Sequence, residues 1–159
     1  MSARAKEISS RIESFKDDVV VFVENLSDAD WEKECEAEDW SVGVTARHLG
    51  AGHFAISGLL GMIVKGEDLP QLTMDQINAM SEKDARKHSD ATKAEALEQL
   101  RKNGDELVDF VAGLTDDDLD RQAGMPAFGG AVSAELFIDY VIFQSAAQHF
   151  ESMKKTIGK

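Results

Sequence analysis

Apolar residues recur along this chain at steps of three and four, which is the spacing of one face of an α-helix. Polar and charged residues fill most of the positions between them. The apolar positions from Ile8 to Leu26 form a single stripe. This stripe predicts a surface helix over residues 3–25 with one side packed on a core. The stripe comprises Ile8, Ile12, Phe15, Val19, Phe22 and Leu26.

Three further segments show helical periodicity and predict long helices at residues 41–65, 92–113 and 133–157. Ser41 is suited to cap the second of the four helices, and residues 92–95 have the Thr-x-x-Glu pattern of a capping box at the third. The second helix is apolar nearly all round, as a central helix is. Four long helices favour an all-α four-helix bundle with at most a short hairpin.

The connections between the long helices differ in character. Residues 74–87 form a short amphipathic segment between the second and third helices, which we expect to be an extra helix that acts as a lid or a crossover. Residues 122–132 are rich in glycine but lack the spacing and the lysine of a phosphate-binding loop, so they are expected to be an ordinary connection. The length of the chain favours one domain over residues 1–159.

The chain is acidic, with 17 Lys and Arg against 30 Asp and Glu and a formal net charge of -13. Such a surface repels phosphate backbones and anionic lipids, which argues against nucleic acid and membrane surfaces as partners. Cys35 is the single cysteine, so the chain has no internal disulfide and suits a reducing compartment. With no signal core and no apolar run long enough to cross a bilayer, we expect a cytoplasmic protein.

Two histidines lie five residues apart in the segment TARHLGAGHF. In a regular helix this spacing turns the second side chain about 140° away from the first, so His48 and His53 are not expected to bind the same ion. His53 falls on an apolar stripe with Leu49 and Ile56, which predicts a core residue. His48 lies beside the small Gly52, which leaves room for a ligand next to it.

A third histidine, His149, is predicted to reach the same depth in the bundle as His48. His48 follows Ser41 by seven residues and His149 precedes residue 157 by eight, so each lies roughly 10–12 Å from its helix end. Antiparallel packing would then bring the two side chains together. The residue four before His149 is Ser145, a poor metal ligand. His88 lies in a polar segment and is expected to be solvated.

Two segments, LSDADWEKECEAEDWSVGVTARHLG and VSAELFIDYVIFQSAAQHFESMKKTI, resemble the DinB/YfiT-like four-helix bundles. That family includes the N-terminal domains of mycothiol-dependent maleylpyruvate isomerases, and the resemblance covers essentially the whole chain. It implies a divalent-metal site in which one histidine of the second helix joins two ligands four residues apart on the fourth. His48 and His149 correspond to the first and last of these ligands, whereas Ser145 stands where a histidine or carboxylate is expected.

The resemblance implies a metal-dependent hydrolase or thiol S-transferase, with Zn or Ni held by His48 and His149 and a low-molecular-weight thiol as a further cofactor. Ser145, Gln144 and Trp40 are candidates for contact with a substrate in the cleft between the second and fourth helices, and no catalytic residue is assigned. Because the third ligand is missing, the alternative is a metal-free bundle that binds a small ligand or self-associates. We expect a small-molecule substrate or ligand and a homodimer as partners.

Overall fold

The four long helical segments predicted from the sequence are present in a computed structural model, which describes residues 2–159 of the chain. The all-α four-helix fold is therefore confirmed. No helix within those residues has the length and apolar character that spanning a membrane requires. In chain order the elements are α1 (Ala3–Glu24), α2 (Asp28–Glu32), β1 (Glu34–Cys35), β2 (Trp40–Ser41), α3 (Val42–His48), a π-helical segment (Leu49–His53), α4 (Ser57–Lys65), α5 (Met74–Lys87), α6 (Lys93–Ala112), α7 (Asp116–Asp120), β3 (Gln122–Met125), a 3-10 turn (Pro126–Phe128), β4 (Gly130–Ser133), α8 (Ala134–Ile138), a second π-helical segment (Asp139–Ala146) and α9 (Ala147–Thr156).

Side-chain caps fix where the helices begin, as the sequence predicts. The Ser41 hydroxyl accepts a hydrogen bond from the Val44 backbone N–H at 3.1 Å and starts α3. Thr92 and Glu95 form a reciprocal capping box at the start of α6, in which each side chain accepts from the other residue's backbone N–H. These bonds satisfy N–H groups that the first turn of a helix leaves without partners.

The second and fourth long helices are not regular α-helices, and the prediction of continuous ones was wrong in this respect. Each contains a π-helical segment, Leu49–His53 or Asp139–Ala146, in which the backbone bonds residue i to residue i+5. The first π-helical segment packs against α6. A Cβ atom at Gly50 would lie 2.9 Å from the Leu100 backbone nitrogen, and Asn103 donates to the Gly50 carbonyl oxygen at 2.9 Å.

Two short antiparallel hairpins join the helices, one more than the single hairpin that the sequence analysis allowed. β1 pairs with β2, and the loop between them carries Glu38 to the side of the fourth helix. β3 pairs with β4, so the glycine-rich stretch expected to be an ordinary connection is a hairpin. Its turn contains Gly129 and Gly130 at φ of 74° and 137°, values that favour glycine. Residues of both hairpins, Trp40 and Phe128 among them, line one cleft.

The core is a cluster of apolar side chains contributed by the long helices, with Phe54 and Phe137 among its largest fully buried members. Helix α1 packs closely on α6 because Gly104 leaves room for the stem of Lys16, whose ammonium group bonds Asp105 at 2.6 Å. The short helix α2 packs on α3 through Trp31, which lies against Gly43 and donates to the Ala91 carbonyl oxygen at 3.2 Å. These contacts fix the N-terminal end of α3, the helix that ends at His48.

We predict that Gly43→Ala destabilises the fold. An added Cβ would lie 2.2 Å from Trp31 Cε2, so the clash should lower the free energy of unfolding by about 1–3 kcal/mol despite the better helix propensity of alanine. Gly58→Ala in α4 is the matched control, because among residues 2–159 its added Cβ would meet no atom within 4 Å beyond its chain neighbours and its own helix backbone. It should be neutral or raise the free energy by up to about 1 kcal/mol. Urea unfolding of both variants measures the difference, and equal effects would contradict the packing described.

Candidate metal centre

Three histidine rings converge between the second and fourth helices. The ring centroids of His48 and His149 lie 5.3 Å apart, and His53 lies 4.8 Å from the first and 5.1 Å from the second. One nitrogen of each ring lies within 4.8 Å of those of the other two. Two nitrogens bound to one tetrahedral zinc ion lie about 3.4 Å apart, a separation that falls within this limit. The predicted approach of His48 to His149 is present.

The prediction that His53 points elsewhere was wrong. It assumed a regular helix, in which five residues turn the side chain about 140°. The π-helical segment Leu49–His53 pairs residues five apart and brings His53 back over the face that carries His48. The side chain is buried, with 9% of the residue exposed, but among imidazoles and not in a purely apolar stripe.

Ser145 supports His53. Its Oγ lies 2.9 Å from His53 Nε2, where the direction of the hydrogen bond depends on the imidazole tautomer. His53 Nδ1 is buried, and within residues 2–159 it has no hydrogen-bond partner. An unsatisfied buried polar atom costs about 1–3 kcal/mol. Whichever ring nitrogen carries no proton has a lone pair that can bind an ion.

Glu38 orients His149 from the loop between β1 and β2. Its Oε2 lies 3.1 Å from His149 Nδ1, and its Oε1 accepts a hydrogen bond from the Ser152 hydroxyl at 2.5 Å. Burial raises the pKa of Glu38, but the bonds to His149 and Ser152 outweigh it and hold the pKa below its ordinary value. A carboxylate on the far nitrogen of a histidine is the usual outer partner of a metal ligand. The sequence analysis did not identify this residue.

The environment keeps two of the imidazoles neutral. Burial, followed by the proximity of His48 and His149, lowers the pKa of His53 to about 3. Burial, followed by the proximity of His149, lowers the pKa of His48 to about 4. Both rings are therefore uncharged at pH 7, which is the state in which imidazole binds a metal.

Of the remaining candidate residues, one lines the cleft and two lie outside it. Trp40 lines the cleft, with its ring 4.9 Å from that of His48 and its Nε1 donating to Glu82 at 3.0 Å. Gln144 does not reach the cleft, because it lies on the outer side of the helix and donates to Asp139 at 2.8 Å. That prediction was wrong. His88 lies outside the histidine cluster, 3.6 Å from Asp84.

A cleft of about 630 Å³ opens above the three histidines. Helix α5, expected to be a lid or a crossover, forms one wall and contributes Met74, Ile77 and Met80. A separate depression of about 500 Å³ lies beside Arg11 and Phe143 and is lined by no histidine. The histidine cluster and an adjoining cleft of small-molecule size together form the candidate site.

Comparison with known proteins agrees with this architecture. The family model described as the mycothiol maleylpyruvate isomerase N-terminal domain matches residues 13–138, a range that contains His48 and His53 and ends before His149. No curated protein sequence matches the chain. A solved structure, YfiT from Bacillus subtilis, is described as a probable metal-dependent hydrolase with an unusual four-helix bundle topology.

The similarity to YfiT is one of fold. The two chains share 18% identity with a TM-score of 0.76, and the alignment covers 99% of this chain and 90% of YfiT. The match to the family model, in contrast, is one of sequence and spans most of the chain. The protein therefore belongs to the mycothiol maleylpyruvate isomerase N-terminal domain family and has the fold of the DinB/YfiT-like four-helix bundles.

Proposed function

We propose that this protein is a divalent-metal-dependent enzyme of the hydrolase or thiol S-transferase type, with His48, His53 and His149 as the metal ligands. The observation that carries the proposal is the convergence of three imidazoles at one end of a cleft. Catalytic zinc sites typically use three protein ligands and leave a fourth position open to substrate. Nitrogen ligands of this kind suit zinc and nickel.

The donor set fits such an ion even though position 145 is a serine. The resemblance to the DinB/YfiT-like bundles implies a third ligand at position 145. Here Ser145 bonds His53, whose Nδ1 is buried without a partner. We therefore assign the third ligand to His53 and a supporting role to Ser145.

A divalent ion at these ligands supplies Lewis-acid chemistry, which polarises a substrate and lowers the pKa of a water or thiol. The residues of the chain position and shield that chemistry. Glu38 fixes the ring of His149, Ser145 fixes that of His53, and Trp40 covers one side. The surrounding apolar walls limit the access of water.

The cleft favours a thiol as the nucleophile. Two carboxylates line it, and each already accepts a hydrogen bond, Glu38 from His149 and Ser152 and Glu82 from Trp40. These bonds orient both carboxylates, and we assign neither as a general base. Before either is bound to a metal, a thiol ionises near pH 8.5 and water near 15.7, so a thiol reaches its anion with less help from a base.

His53→Ala is expected to weaken zinc binding by more than about 100-fold, because loss of an outer partner alone costs 10–100-fold and this change removes a ligand. The measurement is calorimetric titration of metal-stripped protein purified without a histidine tag. His88→Ala is the control and should bind as the parent does, since His88 lies outside the cluster. A parent without zinc affinity would favour the metal-free alternative, and full affinity in His53→Ala would remove His53 from the ligand set.

Glu38→Ala is expected to weaken zinc binding about 10–100-fold, because His149 loses the carboxylate that orients it. Glu38→Gln should weaken it less, since an amide oxygen can still accept from the ring. Glu36→Ala is the control, because Glu36 is exposed on the same loop and does not line the cleft. Equal zinc affinity in the Glu38→Ala and Glu36→Ala variants would show that Glu38 has no role in binding.

Acid is expected to destabilise the metal-free protein as the pH falls below about 6.5, the ordinary histidine pKa. With folded-state pKa values of about 4 for His48 and about 3 for His53, the unfolded chain binds protons in this range that the folded chain does not. The stability is therefore complete above pH 6.5 and is lost progressively below it.

Each of the two histidines steepens that loss by up to about 1.4 kcal/mol per pH unit. Urea unfolding of metal-stripped protein between about pH 5 and pH 7 measures the slope. His53→Asn should have the shallower slope, because it removes one of the two groups. Identical slopes for parent and variant would contradict a depressed pKa at His53.

A further inference from the structure

We infer that the cleft above the histidines binds an uncharged, largely apolar small molecule and discriminates against molecules that carry carboxylates. The inference rests on the proposed function for the role of the cleft, but it concerns the walls and not the metal ligands. Its volume of about 630 Å³ lies within the usual range for small-molecule sites.

Apolar side chains from three parts of the fold form the walls. Helix α5 contributes one side, the second helix contributes another, and the fourth helix with the β3–β4 hairpin closes the third. Aromatic and thioether groups among them suit flat apolar ligands. The apolar lining side chains that are partly or fully exposed include Ile77, Met80, Leu72, Phe128, Tyr140 and Val141.

The charge of the walls disfavours a carboxylate on the part of the ligand that lies away from the histidines. Among residues 2–159, those lining the cleft include no lysine and no arginine, and the two charged ones, Glu38 and Glu82, are acidic. Arg47 lies nearby but is buried and bonded to Asp84 at 2.7 Å. A carboxylate held away from the histidines would lose its hydration without gaining a cationic partner, and the net charge of -13 would add to its repulsion.

The polar groups of the walls are neutral. Asn78 and Ser81 of α5 line the cleft and offer hydrogen bonds to uncharged carbonyl, amide or hydroxyl groups. A bound divalent ion would add positive charge only at the histidine end. The ligand that fits therefore has one donor group directed at the histidines and an uncharged apolar body toward the opening.

The test uses the neutral fluorescent probe N-phenyl-1-naphthylamine, displaced by benzyl mercaptan or by 4-(mercaptomethyl)benzoate. Both competitors present the same thiol, and they differ only by a carboxylate at the far end of the ring. The full-length protein is measured both as purified and after metal stripping. We expect benzyl mercaptan to displace the probe at an about tenfold lower concentration in both forms, because only the benzoate must desolvate a charge.

A pair of neighbouring lysine substitutions tests whether the walls cause the selectivity. Met80 lines the cleft and is 58% exposed, so Met80→Lys adds a cation there without disturbing the core. Ala79→Lys adds the same charge at an exposed position that does not line the cleft. Met80→Lys should reduce the preference for the neutral thiol at least about threefold, and Ala79→Lys should leave it unchanged.

Three results would overturn the inference: no binding of the probe, equal displacement by the two thiols, or equal effects of the two lysines. The zinc titration tests the proposed function independently of the probe displacement. Loss of zinc binding with retained selectivity would remove the metal-dependent enzyme and leave a site for apolar ligands. Zinc binding without selectivity would leave the enzyme and refute the substrate class.

Discussion

The backbone hydrogen bonding of one helical turn determines whether this protein has two converging histidines or three. In the segment Leu49–His53 the bonds run from residue i to residue i+5, which places His53 over His48. Such a turn is rare in helices, and here α6 supports it. Gly50 lets the backbones approach, and Asn103 satisfies the Gly50 carbonyl oxygen. The histidine cluster therefore depends on a contact between two helices that lies outside the cluster itself.

The rings of His48, His53 and His149 lie at centroid distances near 5 Å, where like charges would repel, and the environment keeps His48 and His53 neutral. The surrounding hydroxyl and carboxylate groups orient the rings. Ser145 holds His53, and Glu38, itself bonded by Ser152, holds His149. Because the pKa values of His48 and His53 are lowered, neither ring has to lose a proton before it binds a metal at pH 7.

Local patterns in the sequence predicted the features that local interactions determine. The apolar stripe of α1 and the caps at Ser41 and Thr92 depend on residues three or four apart, and these were correct. His53 was misplaced because no pattern within TARHLGAGHF distinguishes a π-helical turn from an α-helical one. Glu38 was missed because it lies among other acidic residues and its partner His149 is 111 positions away.

The serine at position 145 affects the charge of the proposed site, because it replaces a possible carboxylate ligand. A carboxylate ligand there would neutralise part of the charge of a bound ion, whereas His48, His53 and His149 contribute no negative charge. If His48, His53 and His149 held a divalent ion, these uncharged ligands would leave its charge available to attract one anionic group of a ligand. The walls, which carry no lysine or arginine among residues 2–159, would oppose a second anionic group elsewhere on the same ligand. In the proposed site, an anion would thus be attracted only beside the histidines, and an apolar thiol would be oriented with its sulfur toward them.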